Sequence, residues 1–133
     1  MDFKNLMELN NIELIGLTEP EINCLEMSFA RCRVSDLSEN LVIGDKVIKD
    51  VYSIDIDSDL PILQLNFESY IGYSITNESF TTWDDYQIFE GNSFRIYTKS
   101  RYLDFIQAYT FAHQVCGDIY PPLTHYGIVC LNH

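Results

Sequence analysis

Between Asp50 and Phe94 the chain has no lysine or arginine, although nine acids stand there: Asp50, Asp55, Asp57, Asp59, Glu68, Glu78, Asp84, Asp85 and Glu90. A stretch without bases cannot hold a phosphate backbone. The whole chain, with 20 acids against eight bases and a formal net charge of −12, repels nucleic acid and anionic lipid surfaces. A glycine-rich phosphate loop is also missing, which disfavours a nucleotide-dependent enzyme. No apolar run approaches the roughly 18 residues of a membrane span. The start, Met1-Asp2-Phe3-Lys4-Asn5-Leu6, lacks the basic and apolar blocks of a secretory signal. Cys24, Cys32, Cys116 and Cys130 form no Cys-x-x-Cys pair, so they read as reduced thiols and point to the cytoplasm. No repeat or linker divides the chain. With 133 residues, 47% of them hydrophobic, it is expected to form one domain over residues 1–133 with its own core.

What is present is mostly strand pattern. Residues 1–11 read as a short helix capped by Asp2, and Ile12–Leu17 as a strand. Thr18-Glu19-Pro20-Glu21 matches a capping box and predicts a helix start, but Leu25, Met27 and Phe29 alternate as a strand, and the strand reading is preferred. Ser35–Asn40 has loop composition, Gly44-Asp45 marks a turn, and the β-branched residues from Val47 to Ile56 predict a strand. Leu63, Leu65, Phe67, Ile71, Tyr73 and Ile75 alternate, which fits a hairpin with its loop at Glu68-Ser69-Tyr70. A second hairpin is expected at Gly91-Asn92, with Phe89 opposite Phe94. Ser100 should cap a helix running to about His113, and Tyr126–Leu131 reads as a last buried strand. The pattern predicts an α+β fold: a mainly antiparallel sheet built from hairpins, with one principal helix, about 100–113, packed on one face.

The segment from Ser69 to Ile106 carries Tyr70-Ile71-Gly72-Tyr73-Ser74, Asn77-Glu78-Ser79-Phe80, Phe89-Glu90-Gly91 and Lys99-Ser100-Arg101-Tyr102-Leu103-Asp104. With the His125-Tyr126 strand, it resembles a group of small uncharacterised bacterial proteins, some of which look like immunity partners of secreted toxins. The resemblance covers about a third of the chain and supplies no functional residues.

Three constellations are candidates for function. Asp55-x-Asp57-x-Asp59 opens like a calcium loop, but Leu60 and Asn66 stand where glycine and a bidentate glutamate are required, so an EF-hand is rejected. On a strand the three carboxylates would project from one face about 6.6 Å apart, close to phosphate spacing. The bland reading is a charged edge that blocks aggregation. Trp83 beside Asp84 and Asp85, with Glu78 nearby, has the makings of a contact surface, an aromatic anchor ringed by carboxylates that receive Lys or Arg; the alternative is a tryptophan that closes the core.

The third constellation is His113, Cys116 and His125, with Cys130 and His133 nearby. It offers zinc-type ligands or a thiol with a base, although the spacing matches no standard finger and no oxyanion loop accompanies it. The leading expectation is a non-enzymatic acidic module that binds a basic protein through Asp55, Asp57, Asp59, Glu78, Trp83, Asp84 and Asp85, with no cofactor, metal, nucleic acid or membrane. The alternative is a small hydrolase or zinc-dependent protein using His113, Cys116 and His125. A homo-oligomer paired through exposed strands is a third, blander reading.

Overall fold

Alternation at Leu25, Met27 and Phe29 places Leu25 and Phe29 in the core and starts the longest strand of the protein. The computed structural model describes residues 2–133. In chain order these form α1 (Phe3–Leu6), β1 (Ile12–Thr18), β2 (Leu25–Ile43), β3 (Lys46–Ile56) and β4 (Leu63–Phe67). A 3-10 turn at Glu78–Phe80 follows, then β5 (Ile88–Gly91), β6 (Phe94–Lys99), α2 (Arg101–Tyr109), α3 (Ala112–Val115) and β7 (His125–Ile128). All strand pairs are antiparallel, and the helices are short, so the fold is α+β with mainly antiparallel sheet.

Two sheets share one core. In the first, the opening half of β2 lies between β1 and β4, pairing Phe29 with Leu14 on one side and with Leu63 on the other. In the second the order is β5-β6-β7. Phe29 and Phe94, both fully buried, meet edge to face at 5.3 Å and join the sheets. Leu6, Ile12 and Leu65 complete the cluster, and the Phe3 ring packs against Phe94 and Tyr126. Asp2 caps α1 by accepting the Asn5 N–H, as its position predicts. The outer edge of β1 is closed by a side chain: the Asn132 carboxamide oxygen accepts the Leu14 N–H at 3.1 Å, and its NH2 donates to the Leu14 carbonyl at 2.9 Å.

Beyond Cys32 the two neighbours of β2 diverge from it. Only β3 continues alongside, so residues 32–56 form a two-stranded arm whose turn lies at Gly44-Asp45. The expected loop at Ser35–Asn40 is therefore strand, with its polar residues in an arm that faces solvent, where no core enforces alternation. Leu63–Ile75 is not a hairpin. β4 ends at Phe67 because its partner is β2, and Ile71, Tyr73 and Ile75 are exposed in an irregular segment. The second hairpin forms, but Phe89 pairs with Tyr97 and Gly91 with Arg95. Phe94 instead pairs with Ile128, because the turn is tied down by the Met7 and Leu9 carbonyls, which accept the Asn92 and Ser93 N–H groups. The principal helix starts at Ser100 as predicted but breaks at Thr110, whose backbone is extended, before the single turn of α3. β7 begins at His125 and ends at Ile128, short of Leu131. Among the described residues no helix is long and apolar enough to cross a membrane.

Candidate functional site

Asp55, Asp57 and Asp59 do not form the expected row. Asp55 sits on β3 directly across from Arg33. β3 ends at Ile56, and Asp57 turns inward, its side chain 16% exposed, its carboxylate 4.0 Å from the Arg33 guanidinium and accepting the Asp59 N–H at 3.0 Å. A turn has replaced the strand, so the phosphate-like spacing is lost and Arg33 partly neutralises the group. What remains at the root of the arm is an acidic turn with one base.

The second acidic group is better defined. Asn77 caps the 3-10 turn that carries Glu78 by accepting the Ser79 N–H, and all residues from Ile71 to Trp83 are exposed. Trp83 is 77% exposed, so it does not close the core; its indole N–H donates to the Asp85 carboxylate, which fixes the ring at the surface. Asp84 faces the other way. It accepts the Tyr86 N–H at 3.1 Å and the Arg101 guanidinium at 3.0 and 3.4 Å, and these donors, the backbone N–H first, hold its carboxyl below the usual range. Tyr86 donates its hydroxyl to Asp104, which raises the phenol above its ordinary value, and its ring lies between Lys99 Nζ at 4.4 Å and Arg101 Cζ at 4.8 Å. Lys99 and Arg101 thus anchor the loop to the start of α2, while Glu78, Trp83 and Asp85 stay outward. No hydrogen bond or ion pair joins this group to Asp55, Asp57 and Asp59 among the described residues.

The histidine and cysteine residues are dispersed by role. His113 is exposed on α3, and Cys116 lies half-buried at its end, bridged to Tyr120. His125 is taken up elsewhere: Nδ1 is 2.7 Å from the fully buried Ser100 Oγ, and the ring stacks on Tyr97 at 4.5 Å and leans on Tyr102 at 5.4 Å. Ser100 Oγ accepts the Leu103 N–H and is also hydrogen-bonded to Nδ1, the direction of that bond following the imidazole tautomer. Burial lowers the His125 pKa. Among the described residues no three His, Cys, Asp or Glu side chains gather where a metal ion could be held.

The Ser100–His125 pair escaped sequence reasoning, which saw Ser100 as a cap and His125 as a ligand without a signal linking them. Also missed was the row of rings that passes from Phe89, with Arg95 above it at 4.1 Å, through Tyr97, His125, Tyr102 and Phe105 to Tyr109. The best-formed concavities are two open depressions of about 180 and 190 Å³. Both fall below the roughly 300–1,000 Å³ of ordinary small-molecule sites. Neither contains His113, Cys116 or His125. Comparison with family models, curated proteins and solved structures finds no match.

Proposed function

We propose that this protein is a non-enzymatic protein-binding module of the bacterial cytoplasm that takes a basic protein onto its acidic surface, in the manner of an immunity or inhibitor protein sequestering a toxin. The observation that carries the reading is Trp83, 77% exposed and held outward by the Asp85 carboxylate, in a stretch from Asp50 to Phe94 that has no base of its own. A solvent-exposed indole is apolar area that a partner's pocket can bury, and buried aromatic anchors with rim charges are how such interfaces obtain affinity and fast encounter. Glu78 and Asp85 supply the rim beside Trp83, while Asp84, turned to Arg101, holds the loop in place. Asp55, Asp57 and Asp59 extend the negative field at the root of the arm.

The test is affinity capture with the full chain at low and at physiological salt, followed by titration of the purified captured protein against wild type, Trp83→Ala and Asp85→Asn. A basic protein whose affinity falls about tenfold or more with salt, and again with Trp83→Ala, is the expected result. Binding that ignores both salt and Trp83 would sink the reading.

A further inference from the structure

The sheet edges differ in what a further strand would meet. The edge of β1 shifts register between Leu14 and Gly16 and is sealed by Asn132. The arm shifts register twice, and its β3 carries Lys46 and Lys49, devices that discourage a further strand. In the other sheet β5 and β7 flank β6, whose Arg95 stands opposite Gly91 and Gly127 and whose Lys99 stands opposite Ile88. The edge of β4 has none of these features. Its five residues pair with β2 in unbroken register, it lies in the base-free stretch, and among the described residues its backbone is hydrogen-bonded to nothing but β2. Successive residues of such a strand aim their N–H and C=O groups to opposite sides, so about half of those in Leu63–Phe67 point away from β2 and are open.

We infer that this edge receives an extended basic segment of the partner protein as a further strand. The inference rests on the reading that the partner is basic, and it adds a second contact to the one at Trp83. The backbone selects an extended chain, because only a strand presents donors and acceptors at the spacing that β4 leaves open. Charge selects the side chains. At the end of β4 an open depression of about 190 Å³ holds Glu21, Glu26 and Glu68 against the apolar walls of Pro20, Leu25 and Phe67, and no base lines it. Glu26 stands directly across from Asn66, which lines the same depression. A strand added about 4.8 Å beyond β4 sets the residue beside Asn66 roughly 10 Å from Glu26, two strand spacings. A lysine or arginine and a glutamate close that gap together, the aliphatic stem lying on the apolar walls and the head meeting the carboxylates. The bases of β2, Arg31 and Arg33, lie beyond the Phe29–Leu63 pair at the opposite end, and Arg33 faces Asp57. On the other face Leu63 and Phe67 are only half-buried beside the buried Leu65, and a strand at the edge covers what they leave in water. The recognised segment therefore alternates: apolar residues beside Leu63 and Phe67, lysine or arginine beside the exposed Gln64 and Asn66.

The test titrates the full chain with an end-capped synthetic peptide, Lys-Val-Lys-Val-Lys-Val-Lys, followed by NMR and by hydrogen exchange. The expected result is saturable binding at millimolar concentration that weakens with salt and slows exchange at alternate amides of Leu63–Phe67. The same peptide N-methylated at every amide keeps its charge but cannot pair, and it should not bind; nor should Glu-Val-Glu-Val-Glu-Val-Glu. Glu26→Gln combined with Glu68→Gln should weaken the lysine peptide about two- to tenfold. The exchange pattern of the wild type is the readout that stands should this variant misfold. No binding at millimolar concentration, equal binding of the N-methylated peptide, or protection at β5 or the arm instead of β4 would overturn the inference. Trp83→Ala should leave the peptide's affinity unchanged. A captured partner that depends on Trp83, with no peptide binding, therefore removes only the edge contact, whereas peptide binding without such a partner removes only the reading of Trp83.

Discussion

Ser100 and His125 form a closed pair: the buried hydroxyl accepts the Leu103 N–H that starts α2 and shares a 2.7 Å hydrogen bond with Nδ1 of the imidazole. The hydroxyl therefore serves the helix start and β7 at once. Ser100→Ala removes the cap and leaves a half-buried imidazole nitrogen without its hydrogen-bond partner. The expected loss is about 1–2 kcal/mol, read as a lower urea midpoint with an unchanged slope.

The same pair predicts a pH dependence. Burial depresses the His125 pKa, so the unfolded chain binds a proton that the folded chain refuses. Stability from this group is complete above the ordinary histidine value and falls as pH drops below about 6.5 toward the folded value. Thermal melts between pH 7.5 and 5.5, above the range of ordinary carboxylates, should show the fall in wild type. His125→Phe, which keeps a ring against Tyr97 and Tyr102, should lower stability at pH 7.5 and flatten the slope.

Gly127 lies on β7 against the Tyr97 ring, and a Cβ built there collides with it. Tyr97 cannot retreat freely, since it is flanked by Phe89 and His125. Gly127→Ala is expected to cost about 1–3 kcal/mol, and chemical shifts of the Tyr97 and His125 rings should move with it.

Trp83 offers a substitution with little structural cost. Its exposure places Trp83→Ala within about 0.5 kcal/mol of wild type by denaturant titration. The wild-type indole should emit as a water-exposed fluorophore, be readily quenched by acrylamide, and shift to the blue when the basic partner docks. An indole shielded in the free protein would contradict its placement.

The thiols should be slow. Burial pushes Cys130 to about 11, and burial followed by the carboxylates of Glu13 and Asp55 raises Cys32. At pH 8 roughly one Cys130 in a thousand is thiolate, so iodoacetamide should label it only at the rate of unfolding. Rapid labelling of Cys130 in the native protein would show that the segment after β7 that carries it is open.

The elements legible in the sequence were those decided locally. Asp2 and Ser100 cap because their side chains reach a backbone N–H three residues on, Gly44 turns because it tolerates a positive φ, and the apolar run from Ile12 forms β1 with Ile12 in the core. Elements decided by partners elsewhere in the chain were not legible. Leu63, Leu65 and Phe67 alternate, as do Ile71, Tyr73 and Ile75 beyond Glu68-Ser69-Tyr70, yet only the part that meets β2 is strand, since pairing and not pattern makes β4. Ser35–Asn40 looks like a loop because polarity usually means solvent on one side only, whereas an arm has solvent on both. The acids were visible as a group, but Asp84 turned inward to Arg101 and Asp57 to Arg33 because bases absent from Asp50–Phe94 arrive from neighbouring strands and helices.

Asn132 stands in for a strand along the edge of β1, reaching Leu14 from 118 positions away. A nascent chain that has made β1 early cannot seal this edge until the asparagine, 118 positions later, has left the ribosome. Contacts so distant in sequence require a long loop to close before they repay it, so this seal needs a far longer chain closure than the pairing of β1 with β2 does.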